Sequence, residues 1–449
     1  RRCMDITIVG GGVCGLALAH ELAPDHRVTV LESSPGPRGG GYMIDFFGPG
    51  FLAAERMGVI EELRRRGHVF DGVRYGLPDG STSGTIDAAP LVKAAGGRYF
   101  SILRPEVELG LLAQLPESVD LRYGVRVVGV REDETRDAEA HDTGTGDDGV
   151  RESGARRAGA RDAGTREARV RESGTRDAGT RESGAREDGT ESTATPDTAL
   201  GRPAVITAEG EALESDLVVA CDGVRSPIRE HVAPGHGRIL PMGYRAASYL
   251  FDDAQLAHEL GQRMLMTDTI QRVGWLYAAD AEQAGVMFTE RVDPHDTERP
   301  SADPERLRRR FTGLHPQLDR ALEHAPETFY DDLVAQSYAP RWSRGRVVLA
   351  GDAAHAPSLL AGQGTSLAIA GAEALARSLR ATGPHVEAGL AEYERRWRPT
   401  ADAVRRSGCL SASAFIPATT LQLRLQQVAR RAIGLPGVSR LLSRQFIAA

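Results

Sequence analysis

Several residue types are scarce in this 449-residue sequence, and each scarcity argues against a class of protein. The four cysteines lie far apart and form no Cys-x-x-Cys pair, which argues against a secreted disulfide scaffold and predicts a cytoplasmic location. No apolar run approaches the roughly 20 residues that a membrane span needs. The twelve histidines show no zinc-binding spacing, so we predict no metal site. A formal charge of −7 provides no general attraction to nucleic acid.

The segment from about residue 132 to residue 202 differs in composition from the rest of the chain. Arginine and glycine recur there every five residues, a period that matches neither a helix nor a strand. Its opposite charges cancel, and it has almost no large apolar residue to offset the entropy lost on ordering. We therefore predict a disordered insertion in a surface hairpin loop.

The N-terminal residues predict a strand, a glycine-rich turn, a helix and a second strand. The apolar run Ile6–Val9 leads into Gly10-x-Gly12-x-x-Gly15, and the second strand ends at Glu32. In such a unit the glycines allow the tight turn, the approach of a pyrophosphate and close helix–strand packing. The helix N-terminus favours phosphate, and the terminal acid accepts hydrogen bonds from ribose hydroxyls. The pattern predicts a dinucleotide site, and Glu32 favours FAD or NAD over NADP.

Two later apolar runs end at turns that contain aspartate and glycine. Leu217–Ala220 precedes Cys221-Asp222-Gly223, and Val347–Ala350 precedes Gly351-Asp352. Both are typical of buried parallel strands that deliver loops to one edge of a sheet.

Taken in order, these three motifs resemble those of the class A flavoprotein monooxygenases, the family of para-hydroxybenzoate hydroxylase and the tetracycline-degrading monooxygenase. The resemblance covers the chain outside about residues 131–202. It implies FAD as the cofactor, with NADPH or NADH as a transient reductant, because the sequence has no second glycine-rich unit. It also implies hydroxylation or epoxidation of a polyketide-like or aromatic small molecule through a C4a-hydroperoxyflavin.

A second function stays open at this point. Some relatives with this architecture use FAD as a scaffold for a non-redox (4+2) cyclisation of a polyene in natural-product biosynthesis. Leu359 stands where the family usually has a proline beside the oxygen pocket, which keeps that alternative in view.

The motifs and the resemblance together imply which residues contact the ligands, although no catalytic side chain is assigned. The implied cofactor contacts are Gly10, Gly12, Gly15, Glu32, Arg38, Asp45, Arg104, Val127, Asp222, Gly351, Asp352, Gly362, Gly364, Thr365 and Ser366. The turn at 362–366 would begin a helix whose N–H groups face the flavin ring. The walls of the substrate pocket are expected among Met43, Phe46, Tyr249, Met266, Trp275 and Gln336.

We therefore expect an α/β fold with a Rossmann-like FAD-binding domain, an inserted and mainly antiparallel β-sheet substrate domain, and C-terminal helices. The FAD-binding domain is expected at 4–67, 101–131, 203–237 and 341–381. The sheet domain is expected at 68–100 and 238–340, with one charged helix near 304–324, and the C-terminal helical segment at 382–449. The expected partner is a small-molecule substrate, without nucleic acid or a membrane span, and the sequence leaves open whether the chain is a monomer or a homodimer.

Overall fold

The computed structural model describes residues 3–37, 41–134, 200–267 and 269–433. Its strands are β1 (Asp5–Val9), β2 (Arg27–Glu32), β3 (Met43–Phe47), β4 (Gly72–Gly76), β5 (Thr82–Asp87), β6 (Tyr99–Leu103), β7 (Asp120–Tyr123), β8 (Val127–Glu134), β9 (Leu200–Thr207), β10 (Ala212–Glu214), β11 (Leu217–Ala220), β12 (Arg238–Asp252), β13 (Arg263–Thr267), β14 (Arg272–Ala278), β15 (Gln283–Arg291), β16 (Tyr330–Tyr338), β17 (Ser343–Arg344) and β18 (Val347–Leu349). Its helices are α1 (Val13–Leu22), α2 (Pro49–Met57), α3 (Ile60–Arg66), α4 (Ala89–Ala94), α5 (Arg104–Ala113), α6 (Ile228–Val232), α7 (Ala254–Leu260), α8 (Pro304–Phe311), α9 (Pro316–Glu323), α10 (Asp352–His355), α11 (Gly364–Thr382), α12 (Val386–Phe415) and α13 (Thr420–Ile433), with a 3-10 turn at Leu359–Ala361.

A six-stranded sheet with the order β17-β18-β11-β1-β2-β7 carries the N-terminal glycine-rich unit. Its strands are parallel except for β17, which pairs antiparallel at one edge. Strands β11 and β18 are wholly buried, as expected for short, continuously apolar strands in a parallel sheet. Because β1, β11 and β18 are neighbours and run the same way, the loops that follow them meet at one edge of the sheet. The predicted α/β fold with a Rossmann-like unit is confirmed.

A seven-stranded sheet has the order β16-β12-β15-β14-β13-β4-β5 and is antiparallel apart from the β13–β4 pair. It takes its strands from two stretches of the chain, 72–87 and 238–338. Apolar side chains on one face of this sheet form a core with α7, α8 and α9. Side chains on the other face pack with the 3-10 turn at Leu359–Ala361 and with the end of α12. The second face is therefore the one that approaches the loop after β18.

The expectation of one charged helix near 304–324 is wrong, because the structure has two helices there. Gly313 adopts a φ of +82°, and Pro316 begins α9 at a position where its missing N–H is harmless. The His315 side chain accepts a hydrogen bond from the Gln317 N–H (3.2 Å) and so caps the second helix. These three neighbouring features interrupt an otherwise continuous helical pattern.

The low-complexity segment is bordered by β8, which ends at Glu134, and by β9, which begins at Leu200. These strands pair with each other in a three-stranded sheet with β10. The predicted disordered insertion between them falls on residues 135–199, which lie outside the described residues, and the predicted domain boundaries stay predictions. Within the described ranges, no helix is both long enough and apolar enough to cross a bilayer.

Candidate cofactor and substrate site

An open cleft of about 530 Å³ lies where the loops after β1, β11 and β18 meet. Its volume is in the range that small-molecule and cofactor sites occupy. Residues from all three sequence motifs line it, among them Gly12, Asp222 and Asp352. Chain folding therefore brings together motifs that are separated by more than 300 residues.

The three glycines of the first motif have different physical roles. Gly10 has a φ of +105°, and a Cβ atom there would lie 2.4 Å from the Cys221 carbonyl oxygen. A Cβ atom on Gly15 would lie 1.9 Å from the Gly10 carbonyl oxygen. A Cβ atom on Gly12 meets only cleft-lining side chains, the nearest being Glu108 Oε1 at 3.6 Å. Gly10 and Gly15 are therefore needed by the fold, whereas Gly12 leaves room for a ligand.

Glu32, which also lines the cleft, is buried at the end of β2. Its Oε2 accepts a hydrogen bond from the Gly11 N–H (2.8 Å), and its Oε1 accepts one from the Ser34 N–H (2.7 Å). The carboxylate thus ties the glycine-rich loop to the turn that follows β2. Its Oε1 also accepts a hydrogen bond from the Ser33 hydroxyl (3.3 Å), and a carboxylate in the cleft is the type of acceptor that ribose hydroxyls require.

The Asp222 carboxylate lines the cleft without a protein hydrogen bond of normal geometry. Both of its oxygens are buried, and neither has a hydrogen-bond partner among the described residues. Burial raises the pKa of Asp222 to about 6, and the nearby Ser226 side chain, backbone N–H groups and the positive charge of Arg229 offset this only in part. Buried polar groups in native proteins are nearly always paired, so an unpaired carboxylate in a cleft points to a bound partner. This orphaned acid fits a polyhydroxyl ligand such as the ribityl or ribose part of FAD.

Arg229 ties the second motif to the third. It is buried in α6, and its Nε donates to the Ala353 carbonyl (2.9 Å) while its Nη2 donates to the Val224 carbonyl (2.8 Å). One planar guanidinium therefore links the loop that contains Asp222 to the helix that begins at Asp352.

A smaller cavity of about 130 Å³ adjoins the cleft. Both spaces are lined by Arg104, Asp352, Gly364 and Thr365, so a ligand of dinucleotide length can extend from the cleft into the cavity. Burial raises the pKa of Asp352, and the charge of Arg104 acts in the opposite direction. Arg104 is itself held by Glu108 at 3.0 Å. These residues place one cation and one carboxylate at the junction.

The remaining walls of the small cavity are mostly aromatic and apolar, with Asp332, Ser358 and Gly362 as the other members. The rings of Tyr42 and Tyr330 lie 5.6 Å apart between centroids. The other apolar lining residues are Ile44, Val224, Leu333, Val334, Ala335, Ala356, Pro357 and Leu359. Such a mixture favours a flat, largely apolar ring system.

Helix α11 points its N-terminus at the junction of the two spaces. Gly362 adopts a φ of +68° in the turn before it, and Gly364 and Thr365 line both spaces. The Ser366 hydroxyl donates to the Phe47 carbonyl (2.8 Å) and accepts from the Gly50 N–H (2.8 Å), which fixes the start of the helix. Free N–H groups and the positive end of the helix dipole favour negative charge there.

Some predicted cofactor residues do not line either space. Arg38 lies outside the described residues. Asp45 Oδ1 accepts hydrogen bonds from the Tyr99 and Ser101 hydroxyls, both at 2.8 Å. Gly351 has a φ of +57° and packs against Cys14, with room for no Cβ atom. Gly15, Gly351 and Ser366 therefore support the site from behind its surface.

The six predicted substrate-pocket residues lie outside the walls of both described spaces. Met266 and Trp275 face each other across β13 and β14, on the sheet face that packs against Leu359. Phe46 is fully buried, and Met43 donates its N–H to the Tyr277 hydroxyl (3.1 Å).

Tyr249 and Gln336 make contacts that hold the protein together. Tyr249 lies in the core under α7–α9 and donates its hydroxyl to the Ala321 carbonyl (2.9 Å). Tyr249 therefore lies on the opposite face of the sheet from Met266, which packs in the cluster beside Leu359. Gln336 Nε2 donates to the carbonyls of Pro357 (2.9 Å) and Arg405 (2.7 Å).

Sequence reasoning did not select Arg229, Tyr42, Tyr330 or Ser358. Arg229 follows Asp222 by seven residues, and this position within the second motif was the signal that could have indicated its role. Tyr42 precedes β3 and Tyr330 begins β16, so the two rings meet only in the folded chain. Ser358 stands beside the noted Leu359, but nothing in its residue type indicates its unusual backbone.

Comparison with known proteins agrees with this geometry. The model of a family described as an FAD binding domain matches residues 167–407, more than half of the chain. A model described as an NAD(P)-binding Rossmann-like domain matches residues 8–73.

Several proteins related to this chain in sequence are monooxygenases. An uncharacterized protein of Mycobacterium tuberculosis is 27% identical over 408 residues, covering 86% of this chain and 88% of that protein. A 6-hydroxynicotinate 3-monooxygenase of Bordetella bronchiseptica is 30% identical over 187 residues, or 39% of this chain and 47% of that enzyme. A flavin-dependent monooxygenase of Legionella longbeachae is 25% identical over 215 residues, or 47% of this chain and 55% of that enzyme.

Solved structures share the fold at low sequence identity. A tetracycline destructase superposes with a TM-score of 0.68 at 20% identity, covering 96% of each chain. HpxO of Klebsiella pneumoniae, solved with FAD and uric acid, gives a TM-score of 0.69 at 18% identity, covering 99% of this chain and 96% of that chain.

Proposed function

The chain belongs to the FAD-binding family of class A flavoprotein monooxygenases, and from that premise we propose that it hydroxylates or epoxidises an aromatic or polyketide-like small molecule with NADPH or NADH as reductant. The observation that carries the proposal is the junction of the two spaces. There a helix N-terminus, Arg104 and Asp352 adjoin a small cavity with aromatic and apolar walls.

FAD, when bound, supplies the redox chemistry by which NAD(P)H and dioxygen yield one oxygen atom for the substrate and one for water. The residues that would hold it are Gly12, Glu32 and Asp222 in the cleft and Arg104 and Asp352 at the junction. The N-terminus of α11 would stabilise negative charge at the ring end. The apolar cavity walls would exclude water and orient a ring system against that end.

Two further observations support the substrate class and the setting. Relatives and structural neighbours of this chain include a 6-hydroxynicotinate monooxygenase and tetracycline destructases, whose named compounds contain aromatic rings. The cysteines Cys3, Cys14, Cys221 and Cys409 are free thiols, which agrees with the reducing cytoplasm that we propose as its location.

The proposal is tested by mixing anaerobically reduced holoenzyme with oxygenated buffer and recording rapid-scan spectra. We expect an oxygen-dependent near-ultraviolet absorbance that precedes the return of oxidised flavin. We then expect NAD(P)H oxidation and incorporation of one labelled atom from ¹⁸O₂ when hydroxylated aromatic acids and tetracyclines are supplied.

Direct return to oxidised flavin, with one hydrogen peroxide released per flavin and no labelled product, would contradict the proposal. A parallel reaction contains a linear polyene and oxidised holoenzyme, without NAD(P)H. Cyclised product in that reaction would favour the scaffold function instead.

A further inference from the structure

Ser358 combines two unfavourable features in one residue. Its φ of +102° and ψ of +156° fall in a region that side-chain-bearing residues rarely adopt. Of the non-glycine residues described, only Gln271 also has a positive φ. The Ser358 hydroxyl is buried, and no described residue forms a hydrogen bond with it. Unusual backbone and unpaired polar groups both persist where function requires them.

Two residues of β16 hold the backbone immediately before Ser358. Gln336 Nε2 donates to the Pro357 carbonyl (2.9 Å), and the Ser337 hydroxyl accepts from the Ala356 N–H (2.7 Å). The same Ser337 hydroxyl donates to the Asp352 carbonyl (2.7 Å). The loop is therefore fixed relative to the third cofactor motif, and the conformation of Ser358 is imposed by its surroundings.

Helix α12 approaches the loop from another side. A Cβ atom on Gly408 would lie 2.6 Å from the Pro357 carbonyl oxygen. Only a glycine permits this close approach, so α12 leaves the Pro357–Ser358 peptide little space to relax. The positive φ at Ser358 is thus maintained by contacts from β16 and α12 together.

Ser358 also lines the small cavity, together with Gly362 and Thr365 at the start of α11. We propose that the Ser358 hydroxyl donates a hydrogen bond to an acceptor atom of the bound flavin ring. This inference rests on the proposed function only in placing the flavin ring in the small cavity. The flavin would then be the partner that the described protein residues do not provide.

The test measures FAD binding and the visible spectrum of oxidised flavin in Ser358→Ala and Ser358→Gly. Both variants remove the hydroxyl, and the glycine variant also relieves the positive φ, so at least that variant should fold normally. We expect the FAD dissociation constant to rise about five- to tenfold in both, the equivalent of one hydrogen bond. We also expect the flavin absorption bands to move in both variants.

The matched control is Gln271→Gly, which relieves a positive φ at an exposed position that lines neither space. It should leave the FAD dissociation constant and the flavin spectrum unchanged. Unaltered affinity and spectrum in both Ser358 variants would overturn the inference. These measurements use oxidised enzyme without substrate or NAD(P)H, so a failure to hydroxylate would leave their result intact.

Discussion

Replacing Asp222 with asparagine should stabilise the protein without FAD at neutral and alkaline pH, but not in acid. Both oxygens of the wild-type carboxylate are buried without a hydrogen bond of normal geometry among the described residues, and burial outweighs the nearby Ser226 side chain and backbone N–H groups to raise its pKa from 3.8 to about 6. Folding therefore favours the neutral acid. The folded state binds more protons than the unfolded state between those values, so stability falls as pH rises through that window.

The size of the effect follows from the two pKa values. The difference between 3.8 and about 6, at about 1.4 kcal/mol for each pH unit, corresponds to about 3 kcal/mol as an upper value. Asparagine has nearly the same shape and carries no charge. Asp222→Asn should therefore raise the free energy of unfolding by up to about 3 kcal/mol at pH 8, relative to any difference that remains at pH 4.

The assay is chemical unfolding followed by tryptophan fluorescence at several values between pH 4 and pH 8, with and without saturating FAD. With FAD bound, the gain should shrink or reverse, because the carboxylate oxygens then accept hydrogen bonds from the cofactor. Glu209→Gln, at an exposed turn, is the control for the loss of one negative charge. If the gain in Asp222→Asn is equal at pH 4 and pH 8, the argument from a buried, unpaired carboxylate is refuted.

The remaining predictions concern the framework of the cleft. Arg229→Ala removes the link between the carbonyls of Ala353 and Val224, and should lower the free energy of unfolding by about 3 kcal/mol and release FAD during gel filtration. Unchanged flavin retention would show that the two loops do not need this clamp. Gly12→Ala should fold normally, because its Cβ would meet only ordinary contacts, and should weaken FAD binding at least tenfold, because that Cβ would take up space in the cleft. Gly15→Ala, with a Cβ 1.9 Å from a carbonyl oxygen, should instead lower the melting temperature, and equal behaviour of these two variants would contradict their separate roles.

The sequence predicted the cofactor cleft because the order and type of the strands determine where their loops meet. Short apolar runs before Gly10, Asp222 and Gly351 indicate buried parallel strands, and parallel strands end at a common edge. No distance information is needed for that conclusion. The same reasoning cannot choose between the two faces of the larger sheet, because apolar side chains occupy both faces of β12. Tyr249 was therefore expected near the substrate, although the structure places it under helices.

The features that the sequence does not carry are those set by contacts between distant elements. The conformation of Ser358 depends on Gln336 and Ser337 in β16 and on the absence of a side chain at Gly408 in α12. Serine has no intrinsic preference for a φ of +102°, so no local pattern could have indicated it. A proline at position 358 could not adopt that φ, since its ring holds φ near −65°. Substituting Ser358 with proline should therefore disrupt the clamped loop itself, whereas glycine removes the hydroxyl and keeps the backbone. The two substitutions separate the geometry of the loop from the chemistry of its side chain.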